Sequence, residues 1–154
     1  ELSVDEARGL YSLLENIKSQ KSLFPEEVSA ANLKNLLKED YAKGAVLYDD
    51  KPYLLNIHNC IFVSVRKNNL LSFITYVSSD PSLSADECIK IANDWNSESS
   101  FATVSFCEGE FWIQYFMSFN GGIHADNLND TIEWILSTSY YFENQLKDIV
   151  KQKE

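Results

Sequence analysis

Between Ala45 and Val77 the apolar residues stop recurring at helical spacing and fall into four short β-rich runs. That change of period constrains the fold more than any other feature of the chain. The runs are Ala45 to Tyr48, Tyr53 to Ile57, Cys60 to Val65 and Leu70 to Val77. Turn chemistry separates them at Asp49-Asp50-Lys51-Pro52, His58-Asn59 and Arg66 to Asn69. Short strands joined by tight turns predict an antiparallel meander.

Helical patterns flank the meander. Ser3-Val4-Asp5-Glu6 reads as a capping box, and Val4, Ala7, Leu10, Leu14 and Ile17 continue it to about Ser19. Lys18 to Lys21 reads as a polar linker. A second helix is expected from Phe24-Pro25-Glu26-Glu27 or Ser29, with Leu33, Leu36, Leu37 and Tyr41 on its buried face. Lys43-Gly44 ends it, the glycine supplying a left-handed cap. Asp80-Pro81-Ser82 closes the meander, and Ser84-Ala85-Asp86-Glu87 opens a third helix. Ala85, Cys88, Ile89, Ala92 and Trp95 line one face of that helix.

Phe101 to Cys107 and Phe111 to Phe119 form a hairpin across Glu108-Gly109-Glu110. In its second strand Phe111, Ile113, Tyr115, Met117 and Phe119 point one way, Trp112 and Phe116 the other. Both faces are apolar, which predicts a strand that is central or covered on both sides. Asn120-Gly121-Gly122 is a turn, and a last helix from Ala125 carries Leu128, Ile132, Ile135, Ser139, Phe142, Leu146 and Ile149 on one long face. The order α-α-β-β-β-β-α-β-β-α defines an α+β fold, an antiparallel sheet with flanking helices. Residues 1–22 read as an additional helix and linker, and 23–154 as the α+β domain.

The 154 residues carry 23 acids against 13 bases, a formal net charge of −10. With no basic cluster, that surface repels nucleic acid and anionic membranes. No run reaches the roughly 20 apolar residues needed to span a bilayer, so no membrane insertion is expected. Cys60, Cys88 and Cys107 are an odd number set in apolar runs, which fits reduced, buried thiols of a cytoplasmic protein. The chain opens at Glu1 without methionine, so a periplasmic location after removal of a signal peptide stays open.

No constellation of residues specifies catalysis. Gly121-Gly122 lacks the surroundings of a phosphate-binding loop and reads as a turn requiring positive φ. His58 and Cys60 offer two metal ligands where a zinc site needs three or four, and His124 is distant; no cofactor is expected. Glu108 and Glu110 read as a solvated turn rather than an acid–base pair. Nothing resembles a nucleophile elbow. Trp95-Asn96 has two readings: a structural corner with the indole in the core, or a groove in which Trp95 meets a peptide and Asn96 bonds its backbone. Trp134 and Tyr141, one heptad apart and off the long apolar face, fit an interface as well as a second core layer.

Ala92-Asn93-Asp94-Trp95-Asn96, then Phe101-Ala102-Thr103-Val104, then Gly121-Gly122-Ile123 and the late Phe142 resemble the YbjN family, described as bacterial sensory-transduction regulators. Spacing and order match over residues 29–146, with the specific motifs in 92–123. The resemblance implies an α+β domain similar to type III secretion chaperones, small acidic proteins that commonly dimerise and hold protein partners. It implies no catalysis. Ser100 stands where members often carry a basic residue, and the helix from Ser3 to Ser19 lies outside the shared domain.

These features favour a non-enzymatic protein-interaction module, a chaperone-like regulator that homodimerises, with an unidentified protein partner. Trp112, Trp134 and Tyr141 are its candidate contact residues, and Trp95, Asn96, Phe101, Gly121 and Gly122 its structural motif. The alternative is a small-molecule sensor with an aromatic-lined pocket, in which Gln114, Tyr115 and Asn96 would converge as polar anchors.

Overall fold

The computed structural model describes residues 1–19, 21–48, 51–99 and 101–154. In chain order these form α1 (Val4–Ser19), β1 (Ser22–Leu23), a 3-10 turn (Pro25–Glu27), α2 (Ala30–Leu36) and α3 (Glu39–Lys43). The meander follows as β2 (Ala45–Tyr48), β3 (Lys51–Ile57), β4 (Ile61–Arg66) and β5 (Leu70–Ser78). Then come α4 (Ala85–Glu98), β6 (Thr103–Cys107), β7 (Glu110–Ser118), β8 (Ile123–His124) and α5 (Ala125–Gln152). The fold is α+β, as the pattern of periods predicts.

Strands pair in the order β2-β3-β4-β5-β7-β6, antiparallel throughout, and β1 pairs with β8 in a small separate ladder. The meander occupies four adjacent positions, and α4 carries the chain across so that β7 docks on β5 and β6 becomes an edge. Three hairpins turn through two successive positive-φ residues: His58-Asn59, Asn68-Asn69 and Glu108-Gly109. That backbone matches the twist of the flanking strands, and asparagine and glycine tolerate it at least cost. His58 and Cys60 therefore sit in a turn, not side by side on a strand. Asp49 and Asp50, in the turn expected between the first two strands, lie outside the described residues.

Helices α2, α3, α4 and α5 pack on one face of the sheet. Leu33, Leu36, Leu55, Ile57, Ile61, Val63, Leu71 and Phe73 form one apolar core with Leu128, Ile132 and Ile135. Val77, Cys88, Ala92, Val104, Phe111 and Ile113 form a second with Phe142 and Leu146. Helix α5 is the spine common to both. Burying a side chain such as Phe73, Phe111 or Phe142 completely contributes about 2–3 kcal/mol each.

Three expectations need correction. The second helix is not continuous: Leu37 and Lys38 adopt extended conformations between α2 and α3. Asn129 of α5 fixes the break, its Nδ2 donating to the Leu36 carbonyl (3.0 Å) while its Oδ1 accepts from the Lys38 amide (2.9 Å). Gly44 is not left-handed (φ −95°); a Cβ there would overlap the His58 imidazole as it stands. Only Cys88 of the three cysteines is buried, with Cys60 half-buried and Cys107 exposed on the edge strand.

Strand β7 is central, as its two apolar faces predict, with β5 and β6 on either side; the helices cover only its odd-numbered face. Trp112 and Phe116 lie on the other face with Phe62, Tyr76 and the buried Ile74, and none of these five belongs to the two cores under the helices. An apolar pattern on both faces looks the same whether the chain covers the second face itself or leaves it open.

Candidate functional site

Helices α4 and α5 converge over β6, and the aromatics expected to mark an interface meet there. Trp95 is half-buried on α4, edge-on to Phe142 (5.4 Å between ring centroids) and tilted against Tyr141 (5.9 Å). Its Nε1 donates to the Ala102 carbonyl at 3.3 Å. Phe101 stacks on Tyr115 at 4.6 Å and meets Trp134 at 5.5 Å. Trp134 and Tyr141 remain 61% and 57% exposed. The five rings Trp95, Tyr141, Phe101, Tyr115 and Trp134 thus form a wall that is rooted in the core and open at its outer edge.

Two adjoining grooves share this wall. One, of about 450 Å³, runs between α4 and α5 past Ile91, Trp95, Phe101, Tyr141 and Leu146, with Asp94 and Glu98 beside it. The other, of about 470 Å³, lies across Trp95, Trp134 and Tyr141 with Glu133 beside it. No lysine or arginine lines either groove among the described residues; Lys90 pairs with Asp94 at 2.7 Å on the exposed side of α4. The site is apolar with an acidic rim.

Asn96 does not end its helix, which runs on to Glu98. Its Nδ2 donates to the Val104 carbonyl (2.7 Å) and its Oδ1 accepts from the Val104 amide (2.8 Å). Both ends of the amide are committed to β6, and the indole is tied to Ala102. The Trp95-Asn96 pair therefore builds a helix-to-strand corner, and the ring of Trp95 also serves as groove wall. Ser100, inside that corner, lies outside the described residues.

The other candidate residues separate. Trp112 lies on the opposite face of the sheet, edge-on to Tyr76 (5.3 Å), which is edge-on to Phe62 (5.8 Å). It cannot act together with Trp134 and Tyr141. Gln114 and Tyr115 are consecutive in β7 and point to opposite faces, and Asn96 is already bonded, so the three expected polar anchors do not converge. Gly122 has φ +88°, and the Leu23 carbonyl oxygen lies 2.6 Å from where its Cβ would stand. Backbone fills the space a phosphate would need, and the glycines are a turn.

Cys60 donates to the Ile57 carbonyl (3.4 Å), and burial pushes its thiol pKa up. Glu108 and Glu110 are exposed. Among the described residues no cluster of three or more His, Cys, Asp or Glu side chains could hold a metal ion, and no helix is long and apolar enough to cross a membrane.

Two features escaped the sequence reading. Phe62, Ile74 and Tyr76 share the open face with Trp112, which the register of β4, β5 and β7 would have disclosed. Phe101 forms part of the groove wall, which needs the hairpin docked under α5 to become visible. Comparison with protein-family models, curated proteins and solved structures finds no match.

Proposed function

We propose that the chain is a non-enzymatic protein-interaction domain, a YbjN-like, chaperone-related regulator that takes a partner segment into the groove between α4 and α5. The observation that carries this reading is the pair Trp134 and Tyr141, more than half exposed on a wall whose inner rings are anchored in the core. Large rings held rigid by packing make strong contacts at small entropic cost. Glu98 and Glu133 at the rim select for basic residues flanking the apolar segment. The same reading includes self-association into a homodimer, since the sheet presents a second apolar surface on its far side.

The test uses labelled amphipathic peptides of about 15 residues with lysine-rich or glutamate-rich flanks, titrated with the protein and followed by anisotropy. Lysine-flanked peptides are expected to bind and to shift the Trp134 emission to the blue. Trp134→Ala with Tyr141→Ala should weaken binding at least about 30-fold, the loss of a hot spot, with unchanged thermal stability. Binding indifferent to that double variant would remove the groove as the partner site.

A further inference from the structure

Two apolar surfaces of this chain have no partner among the described residues. Every residue of α1 from Val4 to Leu14 is exposed, although Val4, Ala7, Leu10, Tyr11 and Leu14 line one side of it at helical spacing. The far sheet face presents Tyr76 and Phe116, 37% and 52% exposed, beside the half-buried Phe62 and Trp112 and around a buried Ile74. We propose that these surfaces are made for each other across a homodimer: α1 of each copy lies on the open sheet face of the other.

The dimensions agree. A helix of 16 residues is about 24 Å long. Six strands about 4.8 Å apart span roughly the same distance. An α1 laid across the strands would cover the whole width of the aromatic layer.

The chain's own α1 does not lie on that face, since Val4 to Leu14 are all exposed. The Lys21 carbonyl accepts from the Ala125 amide at 2.8 Å, which holds the chain beyond α1 at the first residue of α5, on the helix side of the sheet. Helix and sheet layers pack about 10 Å apart, which sets that point roughly 20 Å from the far face. A second copy brings its α1 to that face from outside.

Reciprocity decides between a second copy and an unrelated protein. One helix on a sheet removes on the order of 500 Å² from solvent, and two such contacts about 1,000 Å², where stable interfaces begin. A two-fold dimer makes both contacts at once, satisfies both unpartnered surfaces of each chain, and closes.

This inference rests on the homodimer reading above, and the experiment separates the two. Sedimentation equilibrium of the full chain is expected to give twice the 17.6 kDa monomer mass. Leu10→Glu combined with Leu14→Glu on α1, and Phe116→Glu on the sheet, should each yield monomer at the same concentration with an unchanged circular dichroism spectrum. Trp134→Glu should remain dimeric. A wild-type chain that is monomeric throughout overturns the homodimer and this arrangement together. A dimer that survives either the α1 or the sheet variant, or is lost in Trp134→Glu instead, overturns the exchange and leaves the homodimer standing.

Discussion

The side-chain amide of Asn96 makes with the backbone of Val104 the two hydrogen bonds that a neighbouring strand would make. Val104 lies in β6, the edge of the six-stranded sheet, and the groups it offers to Asn96 point away from β7. An open edge invites pairing with other chains, and a helix-borne amide that occupies it blocks that pairing locally. Asn96→Ala leaves a part-buried amide and carbonyl unpartnered and is expected to destabilise the fold by about 1–3 kcal/mol. Asn96→Asp should cost at least as much, because a carboxylate faces the Val104 carbonyl. Urea unfolding measures both, and a wild-type midpoint for Asn96→Ala would show that the pair is dispensable.

Adjacent glycines in one turn should respond differently. A Cβ on Gly122 meets the Leu23 carbonyl oxygen at 2.6 Å in a positive-φ backbone, whereas a Cβ on Gly121 meets nothing within 4 Å. Gly122→Ala is expected to lose more than about 1 kcal/mol and Gly121→Ala to stay near neutral. Equal thermal midpoints for the two variants would contradict the role of Gly122 in holding β8 against β1.

Lys153 ties the end of α5 to the start of α4. Its Nζ donates to both oxygens of Glu87 (2.7 and 2.9 Å) and to the Ser82 carbonyl (2.9 Å). The Lys153 hydrogen bond, then the Ser84 amide, hold the Glu87 carboxyl below its usual range; Asp80 is lowered by its bonds to Ser82 and the Lys153 charge. A carboxylate with a depressed folded pKa adds stability above its unfolded value, about 4.3 for glutamate, and loses it as pH falls through the folded value. Stability should therefore drop on acidification from pH 5 toward 3. In Glu87→Gln that drop should be shallower, and identical slopes would exclude the clamp as its source. Both side chains are well exposed, so the effect should also weaken at high salt.

What the sequence discloses of this fold is what is decided within a few residues. The capping boxes Ser3/Glu6 and Ser84/Glu87 form as their spacing predicts, because donor and acceptor belong to one helical turn. Trp134 and Tyr141 lie off the buried face of the last helix as their phase predicts, and the structure shows them exposed where the phase alone left a second core layer equally open. The break at Leu37-Lys38 was hidden because its cause, Asn129, is some ninety residues away. The double bond from Asn96 was hidden for a related reason: an asparagine eight residues before a strand carries no sign of which backbone it will meet. Whether the face holding Trp112 is covered depends on a surface that no local pattern encodes.

The insertion of β7 between β5 and β6 also sets the order in which the sheet can assemble. The β3–β4 and β4–β5 pairings join neighbours through tight turns, so that part of the meander can zip one hairpin at a time. The β5–β7 ladder must first bring Ser78 to Glu110 across roughly thirty residues, a closure whose entropic cost precedes any reward. Helix α4 fills much of that interval, and forming it early shortens the chain that must be closed. Weakening the helix alone, as in Asn93→Gly at an exposed position of α4, is therefore expected to slow refolding in stopped-flow experiments more than it speeds unfolding.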